Sequence, residues 1–213
     1  MTYLELQSLI KNYLQNTETT FVSDIPNIIK QAEDRILQAV KLPDFRKNVT
    51  GTLTSGNQYL STPSDFLDNF SLSITNSDNQ EFLLFKDVNF IREAYPNAST
   101  TSVPKHYALF DDASFIVGPT PNSSYVVELH YFYKPTSITA GADSGTTWLS
   151  VYATNALLYG CLLEGYIYMK GETDMLTVYN QKYNEAIARL KNLGEGENTT
   201  DQYRDDVVRT QRT

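Results

Sequence analysis

Leu6, Leu9, Ile10 and Tyr13 fall three and four residues apart, and Thr2 with Glu5 ahead of them has the form of a capping box. A first helix is therefore expected to about Gln15, followed by a polar Thr/Glu segment. Ile25, Ile28, Ile29, Ala32, Ile36 and Val40 make a second helical stripe, with Ser23-Asp24 as its cap, Pro26 in its first turn and Pro43 beyond its end. From Phe45 to Tyr133 the period drops to two. Short strands are expected at Val49 to Leu53, Tyr59 to Leu60, Phe66 to Ile74, Phe82 to Phe85, Tyr107 to Leu109 and Phe115 to Val117, with turns at Gly56-Asn57, Asn76 to Asn79 and Asp111-Asp112. Val88, Ile91 and Tyr95 predict a short helix within Lys86 to Ala94, ended by Pro96.

The longest strand pattern is Tyr125 to Tyr133, where Val127, Leu129, Tyr131 and Tyr133 alternate with Val126, Glu128, His130 and Phe132. Such a strand is antiparallel and exposed on one side at most. Pro119, Pro121 and Pro135 cannot donate to a ladder and so fence it. After a Gly/Ser/Thr loop, Trp148-Leu149 opens a helix with Leu149, Tyr152, Ala156, Gly160, Leu163 and Ile167 on one stripe, whose small members admit another helix closely. Gly171 interrupts it. Thr173-Asp174 caps a last helix with Leu176, Tyr179, Tyr183, Ile187 and Leu190 on its stripe, and Gly194 is placed at its end. Each of these two helices is expected to run roughly 20 residues, or about 30 Å.

Helices at both ends and strands between them predict an α+β fold: an antiparallel helical bundle from residues 1–43 and 147–193, an inserted antiparallel β-sandwich or barrel over 44–146, and a C-terminal arm over 194–213. Neither half of the bundle buries its stripe alone. No solenoid-period repeat is present.

The 213 residues are 41% hydrophobic, enough for a sizeable core without staples. The single cysteine, Cys161, stands among leucines and reads as an inert core thiol. The start is an amphipathic helix with no signal-peptide pattern, and no window approaches the ~18 apolar residues of a membrane span, so synthesis in the cytoplasm and no membrane partner are expected. A net charge of −8 excludes a protein that grips nucleic acid through a basic face. For a channel through which DNA slides, an acidic wall is useful, because it does not hold phosphate.

Catalytic chemistry finds little support. His106 and His130 lie on separate strands without ligand-spaced partners; His130 reads as a polar partner of Glu128, and His106 as a strand-entry residue. Glu33-Asp34, Asp111-Asp112 and Asp205-Asp206 read as a solvated helix surface, a turn and a tail. No phosphate-cradling glycine motif and no nucleophile elbow occur. No catalytic residue, cofactor or metal site is expected.

With 15 Tyr and 10 Phe, aromatics are abundant. Tyr152, Tyr159, Tyr166, Tyr168, Tyr179 and Tyr183 occur on more than one face of the last helices, either as generous core and amphipathic surface or as packing between subunits. From Glu195 the apolar period is lost, although Tyr203, Val207 and Val208 remain. This stretch is either a frayed terminus or an arm that orders on a partner.

Pro63-Ser64-Asp65-Phe66, Gly118-Pro119-Thr120-Pro121, Tyr131-Phe132-Tyr133-Lys134-Pro135, Trp148-Leu149 and Ala153 to Gly171 occur in an order that resembles the head-to-tail adaptor (connector) proteins of tailed bacteriophages, the group that includes the podovirus tail tubular protein A. The resemblance implies a structural virion protein of the neck: twelve copies in a ring between the portal protein and the tail nozzle protein, extending the DNA channel without binding DNA specifically. It also implies a portal-docking C-terminal segment, here Asp201, Tyr203, Arg204, Val207, Val208 and Arg209, and lumen-lining carboxylates, here Glu164, Glu172 and Glu185. The alternative class is a tail-associated carbohydrate-binding or hydrolase module, which the aromatic β region fits.

Overall fold

The helical core turns on one helix that has no exposed side for most of its length. The computed structural model describes residues 1–199, with side chains to Gly194. In chain order its elements are α1 (Tyr3–Leu14), α2 (Thr19–Ala39), β1 (Arg46–Leu53), β2 (Tyr59–Ser61), β3 (Phe66–Asn76), β4 (Asn79–Phe82), β5 (Leu84–Phe85), α3 (Val88–Ala94), β6 (Thr101–Ser102), β7 (His106–Asp111), β8 (Ser114–Gly118), β9 (Thr120–Pro121), β10 (Tyr125–Tyr133), α4 (Trp148–Tyr152), α5 (Thr154–Tyr168) and α6 (Thr173–Thr199). The fold is mixed α+β. The chain divides into two compact units, Met1–Pro43 with the chain from Thr136 onward, and Asp44–Pro135.

In the helical unit, α1, α2 and α6 all pack on α5. Ala156, Leu157, Leu158, Gly160, Cys161, Leu162, Leu163 and Gly165 of α5 are buried, which covers every side of the helix. Two glycines set the approach. A Cβ at Gly165 would stand 2.6 Å from Leu14 Cδ1, and one at Gly160 would stand 3.3 Å from Ala32 Cβ. The capping box of α1 forms as the sequence predicts, with Thr2 Oγ1 accepting the Glu5 N–H and Glu5 Oε2 accepting the Thr2 N–H.

Three helix boundaries differ from expectation. α2 begins at Thr19, a turn before Ser23, so Pro26 lies inside the helix and Ser23 Oγ donates to the Thr20 carbonyl instead of capping. The extra turn carries Phe21 into the core at 1% exposure, and that burial outweighs one missing backbone bond. The helix expected from Trp148 to Gly171 breaks at Ala153 (φ −119°, ψ 36°), leaving α4 as a separate turn capped by Thr147 and Ser150. α6 continues past Gly194 to Thr199. Gly194 is there for space: a Cβ would meet Leu42 Cδ2 at 2.7 Å.

In the β unit, β10 is central to a four-stranded sheet of order β1-β10-β3-β4 and is antiparallel to both neighbours. A second four-stranded sheet has the order β2-β8-β7-β5, and β6 pairs with β9. Val127, Leu129 and Tyr131 of β10 share a core with Leu72 and Ile74 of β3 and with Tyr107, Phe115 and Val117 of the second sheet. The expected barrel does not form: among the described residues both large sheets stay open at their edges. Leu83 explains this, since its N–H donates to the Leu72 carbonyl at 2.9 Å and its side chain enters the core, so the chain turns from β4 in one sheet to β5 in the other without joining their ladders. The pairings are also not all antiparallel, because β5–β7 and β6–β9 run parallel. Behind the second sheet, α3 seats Ile91 on Ala108 and Ile116.

Candidate functional site

Glu128 and His130 project from the same side of β10, two residues apart, so an alternating strand makes them neighbours. His130 Nε2 lies 3.3 Å from Glu128 Oε1, and the carboxylate also accepts from Asn48 and, at 2.6 Å, from Gln80. The Asn48 bond first and the His130 bond second hold the Glu128 carboxyl below its usual value. The network supplies the carboxylate with hydrogen-bond donors and favours its ionised form. His106 enters β7 as expected, with Nδ1 2.8 Å from the Tyr95 hydroxyl and its ring against Phe90. Burial, aided by Lys86 and Lys105, pushes its pKa down.

Cys161 is fully enclosed. Burial, with Glu33 and Glu164 adding negative charge, pushes its thiol well up, which makes it inert as the sequence predicts. Asp111 is a turn residue whose Oδ1 accepts from the Ala113 N–H and the Ser114 hydroxyl. Glu33 is a correction. It is not on a solvated surface but 5% exposed, and Oε1 accepts the Ile138 N–H at 3.1 Å, which ties the turn at Ile138–Ala140 to α2. Its place in the middle of the Ile29–Ala32–Ile36 stripe was the available signal. Among the described residues no group of three or more His, Cys, Asp or Glu is placed to hold a metal, and no helix is long and apolar enough to cross a membrane.

The three carboxylates expected at a lumen have different surroundings. Glu164 is paired with Arg35 on the α2–α5 seam, its side chain 13% exposed. Glu185 is exposed on α6 and lies 3.2 Å from Lys182 Nζ, whose hydrogen bond lowers its pKa. Glu172 precedes α6, exposed, with its N–H donated to the Tyr166 hydroxyl. Asp201, Tyr203, Arg204, Val207, Val208 and Arg209, together with Asp205-Asp206, lie outside the described residues.

The tyrosines of the late helices divide by environment. Tyr179 and Tyr183 are buried, whereas Tyr152 is 70% exposed and Tyr168 nearly half exposed. Tyr168 donates to Asp24 Oδ2 at 2.8 Å, a bond that leads the upward push on its pKa, with Glu18 contributing. At the other end of α5, Tyr152, Ala153, Ala186, Arg189 and Leu193 border a cleft of about 350 Å³. Sequence reasoning missed this cleft. Its signal is the alignment of alanines at 153, 156 and 186 beneath the large Tyr152 and Leu193, which appears only once α4, α5 and α6 are placed together.

Exposed aromatic and aliphatic surface is conspicuous on both units, at Phe70, Phe82 and Phe85 in the β unit and at Tyr152, Ile167 and Tyr168 in the helical unit. No curated protein matches the chain. A family model described as SU10 adaptor protein matches residues 1–211, and the chain belongs to that family.

Proposed function

We propose that the protein is a structural head-to-tail adaptor of a tailed bacteriophage, similar in role to the podovirus tail tubular protein A. Twelve copies form a ring in the virion neck between portal protein and tail nozzle protein and continue the DNA channel. Membership of the adaptor family over residues 1–211 is the observation that carries this reading. The net charge of −8 supports it, because a channel wall that repels phosphate lets DNA pass. In this reading the helical unit forms the ring-building bundle, the unit Asp44–Pro135 forms a β-sandwich module, and the 194–213 arm docks on the portal through Asp201, Tyr203, Arg204, Val207, Val208 and Arg209.

Glu164, Glu172 and Glu185 line the lumen in the same reading. Glu164 with Arg35 and Glu185 with Lys182 bring little net charge, whereas Glu172 brings a whole one. The test is to mix the full chain with isolated portal and weigh the product by native mass spectrometry. A discrete complex with twelve copies of this chain is expected. A portal that stays bare at saturating protein, or polysaccharide turnover by the free chain, overturns the adaptor reading.

A further inference from the structure

The two ends of α5 carry surfaces of opposite character. At its C-terminal end Ile167 and Tyr168 are each 48% exposed, and Glu18 and Asp24 lie close enough to raise the Tyr168 pKa. The Tyr168–Asp24 hydrogen bond and the Phe21 ring, 6.0 Å away, fix this aromatic in place. It is an apolar knob with an anionic rim. At its N-terminal end is the cleft of about 350 Å³, floored by Ala153 and Ala186, walled by Tyr152 and Leu193, and lined by Arg189. Arg189 makes no salt bridge among the described residues; Glu185, one turn away on α6, is paired by Lys182, and after Lys182 the charge of Arg189 helps lower its pKa, so the local excess is positive. It is an apolar socket with a cationic wall.

The geometry points to a head-to-tail contact between copies of this chain, in which the Ile167–Tyr168 knob of one copy seats in the Arg189 cleft of the next. Three observations select a second copy as occupant. The knob and socket match in charge, Glu18 and Asp24 against Arg189. They match in kind, since both present exposed apolar side chains around a tyrosine, the residue type that gives large contact area at low entropic cost. They also sit at opposite ends of a helix of 15 residues, about 22 Å apart along its axis, so one copy fills its neighbour's socket while its own stays open. A contact between two different surfaces propagates and closes only by rotation, which is what a ring requires.

The contact serves the ring proposed above, but its test reads association between copies without portal, so the two readings fail separately. Full chain carrying Leu193→Cys is mixed at millimolar concentration with full chain carrying Ile167→Cys and oxidised; buried Cys161 does not compete. Mixed-site disulfides are expected in about tenfold excess over same-site ones. Arg189→Glu in the first protein, or Glu18→Lys in the second, should cut the mixed yield about tenfold, and the two reversals together should restore it, which also shows that both variants fold. Dominant same-site disulfides overturn the proposal by indicating a two-fold contact. A yield indifferent to either reversal overturns it, as does failure of the double reversal to restore it. A monomeric mass at millimolar concentration also overturns it, and includes the case in which residues 200–213 of the same chain fill the cleft.

Discussion

Tyr131 and Tyr183 are both buried tyrosines, and they differ in one respect: whether the hydroxyl has a partner. Tyr131 donates to Asp65 Oδ1 at 2.7 Å, and Lys47 Nζ holds the other carboxylate oxygen at 2.6 Å. The Tyr183 hydroxyl is enclosed with no hydrogen-bond partner among the described residues. A bond to a charged partner contributes roughly 1.5–3 kcal/mol, while an unmet buried hydroxyl costs about 1–3 kcal/mol. Tyr131→Phe should therefore lower stability by roughly 2 kcal/mol, and Tyr183→Phe should leave it unchanged or raise it, as read by urea unfolding. The same triad shapes the pH profile. Burial and then the Asp65 bond push the Tyr131 pKa up to about 12, so its contribution is intact below pH 10 and lost as pH rises through that value. Burial alone raises the Asp65 pKa, but the bonds from Lys47 and Tyr131 together outweigh it and lower it overall. That contribution is present above the usual carboxylate value and lost as pH falls below it. Thermal unfolding of Tyr131→Phe should be flatter than that of the parent between pH 10 and 12, and equal slopes would contradict the assignment.

Helix contacts make the next scale testable through two glycines on α5. Ala favours a helix over Gly by about 1 kcal/mol, whereas an added methyl in a filled core costs roughly 1–3 kcal/mol. At Gly160 the nearest atom to an added Cβ is 3.3 Å away, so the terms nearly cancel; at Gly165 it is Leu14 Cδ1 at 2.6 Å, so crowding wins. Gly165→Ala should destabilise by about 1–2 kcal/mol and Gly160→Ala by less, with the midpoint of denaturation as the measure. The reverse order would show that α1 yields more easily than α2. These glycines also show what the sequence makes legible. Small residues at helical spacing signalled a close approach, and the alternation in β10 signalled a strand with one core face; both are local periodicities. Helix limits were less legible because tertiary packing overrode local signals: Phe21 extended α2 past a good cap, and Gly194, which reads as a helix end, stands inside α6 where it packs closely on Leu42. The Leu83 corner, which prevents barrel closure, and the Ala-floored cleft depend on residues distant in sequence, so no window displays them. His130 with Glu128 was readable because they are neighbours on one strand, and buried Glu33 was misread because its partner, Ile138, lies 105 positions away.

For the whole molecule, charge decides how a neck ring would treat its cargo. DNA carries one negative charge for every ~1.7 Å of its axis, so a wall that gains positive groups acquires counterion-release attraction at each copy. Glu172→Lys replaces one exposed carboxylate by a cation. Glu185→Lys does more, because Lys182 lies 3.2 Å from the original carboxylate, and the substitution turns a neutral pair into two adjacent cations able to straddle a phosphate. Both residues are exposed, so neither change should alter the fold or ring formation. If the two residues face the lumen, virions assembled with either variant should eject DNA more slowly, Glu185→Lys more so, and added salt should restore the rate because exposed charges are screened over ~10 Å at 0.1 M. Ejection kinetics from purified particles read this directly. Rates equal to the parent in particles with normal necks would place these residues away from the channel, while slowing that persists at high salt would point to distorted packing instead of attraction to phosphate.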